Sequence, residues 1–161
     1  MLSLFRRSTR VIVEALQADA AEACARIHGK SFAHPWSASE FGCLIASAGT
    51  ICDGAFSEAS QPEVLGFVVS RQAADEAEVL TLAVDAAHRR HGIAAMLLEQ
   101  HLDRLRIARV CRLFLEVNAD NQPARALYAR FGFVEVGQRA GYYRLADGSR
   151  ATALVLSRKL I

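Results

Sequence analysis

The chain is predicted to fold as a mixed α/β domain, and three observations predict it. Apolar residues at Ile93/Ala94, Leu97/Leu98, Leu102 and Leu105 recur at helical spacing. Short apolar runs at 64–70, 78–84 and 111–117 are bounded by turn residues and read as strands. Along the chain these signals follow the order βααβββαβαββ, with too few strict β-α-β units for a doubly wound sheet.

Each element has its own local reason. Residues 11–16 read as the first strand, and Asp19 is placed to cap a helix running through 23–27. Residues 32–36 form a loop. Ser37 stands three residues before Glu40, the spacing of a capping box, and Phe41, Leu44 and Ile45 share one face of the helix that follows. Residues 51–56 and 64–70 are strands separated by a turn at 61–63. The strand at 78–84 leads through a basic turn into the long helix from Ile93. After the strand at 111–117 comes a polar loop at 118–121. Pro123 then pre-sets the first turn of a short helix to Arg130, and Gly132 suits its C′ position. Strands at 133–136 and 151–156 complete the sheet, with a turn at 146–149 between them.

Composition narrows the function. With 161 residues, 52% of them hydrophobic and 22% charged, the chain suits one domain over 11–161 preceded by a tail at 1–10. The basic start is read as a tail or a short targeting sequence. A net charge of +2 is too balanced to argue for nucleic acid, and no apolar run reaches membrane-spanning length. Cys24, Cys43, Cys52 and Cys111 show no paired spacing, so reduced thiols and a cytoplasmic location are expected. His28, His34, His88, His91 and His101 show no metal spacing and read as surface or helix residues; no metal is expected.

The chemistry concentrates in two places. The first is the turn Arg89-Arg90-His91-Gly92-Ile93-Ala94, where a strand feeds a helix start. Backbone N–H groups converge there and the helix dipole adds positive potential, so the turn suits a diphosphate. It is neither a P-loop nor a Gly-x-Gly-x-x-Gly turn. The second is the strand at 111–117 and the helix after it. Glu116 either faces solvent by strand alternation or serves as a general base for an amine. Tyr128 is either a core aromatic with its hydroxyl at the rim or a general acid for a departing thiolate. Asn121 caps the short helix or binds a ligand arm.

The order Arg-x-x-Gly-x-Ala resembles the diphosphate loop of the GCN5-related N-acetyltransferases. Pro35-Trp36-Ser37, Leu82-Ala83-Val84-Asp85, Leu115-Glu116-Val117, Asn121, Ala126-Leu127-Tyr128, Phe131-Gly132-Phe133, Tyr142-Tyr143 and Asp147-Gly148 follow in that family's order, over nearly all of residues 10–160. Within the family the chain is similar to bacterial members that acetylate the N-terminal alanine of a small-subunit ribosomal protein. The resemblance implies a largely antiparallel sheet of about seven strands, flanked by four helices and split between the fourth and fifth strands. It implies acetyl-CoA as co-substrate, held by Arg89, Arg90, His91, Gly92, Ile93, Ala94, Ala95 and Asn121. Leu82, Ala83 and Val84 would meet the pantetheine, a bulge around 82–84 would splay the sheet, and a backbone N–H near Val84 would stabilise the oxyanion. Glu116 falls on the family's base and Tyr128 on its acid. Trp36, Tyr142 and Tyr143 would wall the acceptor side, although core packing explains Trp36 equally well. Transfer would be direct from a ternary complex, without an acyl-Cys111 intermediate.

There are departures. Arg89 stands where many relatives have Gln, and Ala94 where a second Gly is commoner. Arg144 follows the tyrosine pair where relatives often have Pro, and His34 precedes Pro35. Two alternatives stay open at this stage. One is an enzyme of the same fold acting on a small amine or a lysine side chain. The other is a non-catalytic acyl-CoA-binding module.

Overall fold

A computed structural model of the chain describes residues 10–161. Apart from Arg10, the expected tail lies outside the described residues. The strands are β1 (Val11–Ala15), β2 (Thr50–Ser57), β3 (Val64–Ala73), β4 (Glu76–Val84), β5 (Arg112–Asn118), β6 (Val134–Arg144) and β7 (Arg150–Lys159). The helices are α1 (Ala21–Ser31), α2 (Ala38–Ala46), α3 (Ile93–Ile107) and α4 (Gln122–Arg130). The predicted element order holds throughout.

Local chemistry sets several boundaries as expected. Ser37 and Glu40 form a reciprocal capping box at the start of α2, with the Ser37 N–H 2.6 Å from Glu40 Oε2 and the Glu40 N–H 3.2 Å from Ser37 Oγ. The Asn121 side chain caps α4 by accepting from the Ala124 N–H at 3.2 Å. Gly132 adopts φ +79 beyond the end of that helix. Two expectations fail. Asp19 does not cap α1: it lies in a short 3-10 turn, Ala18–Ala20, and the cap position is Ala20 with no side-chain bond. The sixth strand runs far past 136 to Arg144, because pairing with β7 carries it through polar sequence that lacks an alternating pattern.

The seven strands form one sheet in the order β1-β2-β3-β4-β5-β7-β6. Neighbours are antiparallel except β4 and β5, which are parallel because α3 connects them. Strand alternation divides the apolar residues between two layers. Leu65, Val68, Val79, Leu113, Leu115 and Val117 face α3 and α4, meeting Leu97, Leu98, Leu102, Leu105 and Tyr128. Cys24, Ile27, Phe41, Phe67, Val69 and Ala83 form the layer under α1 and α2.

The sheet opens in its middle. β4 and β5 pair only at Glu76–Arg112, Ala77–Leu113 and Glu78–Phe114. Val69 pairs with Thr81 and Ser70 with Val79, which leaves Leu80 without a partner on β3. The bulge is therefore at Leu80, slightly upstream of the expected 82–84. An extra residue bends and twists its strand, so β4 turns away from β5 after Leu80. β5 pairs instead with β7, from Arg112–Lys159 to Asn118–Ala153.

Candidate active site

The open edge of β4 is the first part of the site. The Asp85 N–H donates to the Leu65 carbonyl of β3 at 2.8 Å. Backbone groups alternate sides along a strand, so those of Ala83 face β3 and those of Leu82 and Val84 face the opening. Gly66 makes the close approach possible: a Cβ there would lie 2.8 Å from the Ala83 carbonyl oxygen. The mouth thus offers the N–H and C=O of Leu82 and the N–H of Val84, whose carbonyl is taken by Arg89 Nε, as a short template for an amide-bearing ligand to add as a strand.

The basic turn lies at the end of that edge. Arg90 (φ +64) and Gly92 (φ +76) both adopt left-handed backbone, which curls the loop inward. The first helical bond of α3 runs from the Met96 N–H to the Gly92 carbonyl at 3.1 Å. The N–H groups of Ile93, Ala94 and Ala95 precede it and point out of the helix end. A Cβ on Gly92 would meet nothing within 4 Å, so the space above the loop is open. These features fit a diphosphate group. Arg89 is committed elsewhere: its Nε donates to the Val84 carbonyl at 3.1 Å and its guanidinium reaches Ser31 Oγ at 3.3 Å, which ties the loop to β4 and α1. The His91 ring turns back to the His88 carbonyl at 3.2 Å, leaving its main chain to the loop.

The second part is a cleft of about 580 Å³ on the α1/α2 side. Trp36, Leu44, Leu80, Glu116, Tyr142 and Tyr143 line it, with Glu40, Glu78, Cys43 and Arg71. The Glu116 side chain is 18% exposed and pairs with Arg139, Nε to Oε1 at 3.2 Å. Alternation sends Leu115 and Val117 into the core and Glu116 into this cleft, not to open solvent. The Arg139 guanidinium also sits 5.2 Å from the Tyr142 ring centre, so one cation orients both the carboxylate and an aromatic wall.

Tyr128, on α4, is not among the residues that line this cleft. It is 8% exposed and packs edge-on against Phe133 at 5.6 Å between ring centres. Burial pushes its phenol up to about 12, with the nearby Tyr143 adding to the effect. Tyr143 is likewise pushed up to about 12, chiefly by burial and then by the charge of Glu116. Tyr143 thus stands electrostatically between Glu116 and Tyr128. The ring of Tyr128 belongs to the core, as the core-aromatic reading has it, and its link to the cleft is the electrostatic effect of Tyr143. Asn121 spends its carbonyl oxygen on the helix cap, which leaves its amide N–H₂ for a ligand.

Sequence reading missed two contributors. Arg139 lies in the stretch of β6 that carries no alternating pattern, so nothing placed it opposite Glu116. His28 was read as a surface or helix residue; it is buried, and its Nδ1 accepts the Trp36 N–H at 3.1 Å. The two rings stack at 4.8 Å, so His28 holds the Trp36 wall in place. Burial keeps the His28 imidazole below its ordinary pKa, which suits an acceptor. His101 lies on α3, as the helix reading has it, and is fully buried, so it is not a surface residue.

A sheet split between its fourth and fifth strands, an open turn at a helix start and a cleft holding Glu116 come together here. The sequence model of the Acetyltransferase (GNAT) family matches residues 19–133, and the chain belongs to that family. It is 34% identical over 145 residues to the N-alpha-acetyltransferase RimI of Mycobacterium tuberculosis, covering 88% of this chain and 90% of that one. It is 37% identical over 95 residues to the [Ribosomal protein bS18]-alanine N-acetyltransferase of Escherichia coli, where the match covers 59% of this chain and 64% of the relative. The crystal structure of the ribosomal-protein-S18-alanine N-acetyltransferase from Escherichia coli superposes with a TM-score of 0.85 at 28% identity, over 94% of each chain.

Proposed function

We propose that this protein is an acetyl-CoA-dependent N-acetyltransferase whose acceptor is the N-terminal α-amine of a protein. The acceptor begins with Ala and is a small-subunit ribosomal protein, and the reaction belongs to the cytoplasm. The observation that carries this reading is the placement of Glu116 in an aromatic cleft directly beside the split in the sheet. The names of the similar enzymes support the choice of acceptor.

When bound, acetyl-CoA supplies the acetyl thioester. The N–H groups of Ile93, Ala94 and Ala95 would hold its diphosphate, and the backbone of Leu82 with the Val84 N–H would pair with the pantetheine amides. The Val84 N–H faces the opening, where a carbonyl oxygen gathers charge as the amine attacks. Acidic Glu40, Glu78 and Glu116 favour entry of an ammonium group into the cleft. An α-amine has a pKa near 8, so roughly a tenth is neutral at pH 7. Glu116 takes the proton that the nitrogen loses as it bonds to the acetyl carbon. Tyr128 keeps its proton across the working range and donates it toward the departing sulfur. Trp36, Tyr142 and Tyr143 close around the first residue of the acceptor and leave room for a small side chain.

Mass spectrometry of products tests the reading. A peptide beginning with Ala should be acetylated at its α-amine, and Glu116→Gln should slow turnover by roughly 10²–10⁴-fold. A peptide with a blocked α-amine and free lysines should be a poor substrate, because an ε-amine of pKa about 10.4 is almost wholly protonated at pH 7. Preferential lysine labelling, or faster turnover of a small polyamine, would overturn the assignment of the acceptor. Absence of any turnover in a chain that binds acetyl-CoA would favour a non-catalytic module.

A further inference from the structure

Ser70, His101 and Asp53 form a buried hydrogen-bonded chain that acetyl transfer does not use. Ser70 Oγ lies 2.6 Å from His101 Nε2, and His101 Nδ1 lies 2.6 Å from Asp53 Oδ2. The Arg104 guanidinium bonds the other oxygen of Asp53. Ser70 and His101 are 0% exposed and Asp53 is 1% exposed. The order is that of a serine-nucleophile relay, but none of the three residues lines the cleft at Glu116, so a substrate has no path to Ser70.

The placement of this chain is informative. Ser70 stands on β3 at the register shift opposite Leu80, the residue that bends β4 away from β5. Asp53 stands on β2, and His101 and Arg104 stand on α3, whose first turn carries the anion loop. His101 lies eight residues from Ile93, roughly 12 Å along the helix axis. At the far end of α3, Gln72 of β3 donates to the Ala108 carbonyl at 3.1 Å. The apolar contacts of Leu97, Leu98, Leu102 and Leu105 drive docking but are non-directional. Hydrogen bonds weaken steeply with distance and angle, so they set where along its axis the helix sits. Stability alone gives little reason for such a set, since apolar residues of similar volume commonly stabilise a core as well or better.

The geometry points to His101, clamped between Asp53 and Ser70, as a positioning residue that locks α3 in register with the β4 bulge. That register fixes the spacing between the N–H groups of Ile93, Ala94 and Ala95 and the open backbone of Leu82 and Val84. The two ends of one extended ligand are then gripped at a set separation. The inference rests on the acetyl-CoA reading above.

The test uses the full chain with Ser70→Ala, His101→Gln and the rescue variant Ser70→Thr, which keeps the hydroxyl. Calorimetric titration gives the acetyl-CoA Kd, and turnover of an Ala-starting peptide gives KM for each substrate. Ser70→Ala and His101→Gln should each raise Kd and KM for acetyl-CoA by about tenfold, the scale of a misplaced binding element. The KM for the peptide should stay unchanged, and Ser70→Thr should recover most of the acetyl-CoA affinity. Leu105→Val, a core change one turn along the same helix that removes no member of the hydrogen-bonded chain, should lower Tm without moving the acetyl-CoA Kd. Wild-type acetyl-CoA affinity in folded Ser70→Ala or His101→Gln overturns the inference. So does an equal loss of affinity in Leu105→Val, which would make the effect one of stability. A wild-type chain that binds no acetyl-CoA overturns the functional reading, and this inference with it.

Discussion

Glu116 and Tyr128 show how surroundings set what an ionisable side chain can do. Glu116 sits at a strand position that faces the cleft, paired with Arg139 and within electrostatic reach of Tyr143. Tyr128 is nearly sealed, so its phenol resists ionising, and the donor of the proposed reaction is protonated throughout the neutral range. Replacing Tyr128 with Phe should lower kcat by roughly 10²–10⁴-fold with little change in acetyl-CoA affinity. The same variant reads the buried phenol directly. Its folded pKa of about 12 lies above the ordinary value of about 10, so the neutral phenol is favoured in the native state. That contribution to stability is complete below about pH 10 and is lost as pH rises through about 12. The tyrosinate absorbance of wild type minus that of Tyr128→Phe should therefore rise near pH 12. A rise centred near pH 10 would show an unburied phenol.

The element that matters most is α3 with the turn before it. Arg90 is an uncommon non-glycine in left-handed backbone, which carries a strain of about 1 kcal/mol that the loop sustains for its shape. Gly92 has the same handedness, with open space where a side chain would project. Gly92→Trp should fold, at a cost of roughly 1–2 kcal/mol for the positive φ. It should also abolish acetyl-CoA binding by filling the diphosphate space. Retained affinity in folded Gly92→Trp, measured by calorimetry, would remove the loop from the binding site.

Across the whole molecule, the sheet parts between β4 and β5, and the proposed function depends on that opening. Three paired positions join β4 to β5, and the bulge at Leu80 ends their contact. Amide exchange should report this directly. The amides of Leu82 and Val84 should exchange faster than that of Ala83, which faces β3, and acetyl-CoA should slow them selectively. Fast exchange at Ala83 with protection at Leu82 and Val84 in the free protein would reverse the assignment of the open edge.

What the sequence determined by itself was local. The capping box at Ser37, the Asn121 cap, the Pro123 start, Gly132 and the helical repeat of α3 each depend on residues within one or two turns, and each was legible. So were the strand-to-helix turn at 89–94 and the alternation that put Glu116 on its own face of β5. Tertiary structure decided the rest. Arg139 meets Glu116 only because β7 extends β6 past 136, and the bulge falls at Leu80 because β3 and β4 settle their register together. His101 stands four residues from Leu97 and from Leu105, on the apolar face, but it reaches Asp53 and Ser70 across separations of 48 and 31 residues, so its partners had no signature in its own neighbourhood. The physical reason is range: capping and periodicity are short-range interactions written into adjacent residues. Burial, ion pairing and strand register are settled by which distant segments compete for the same core.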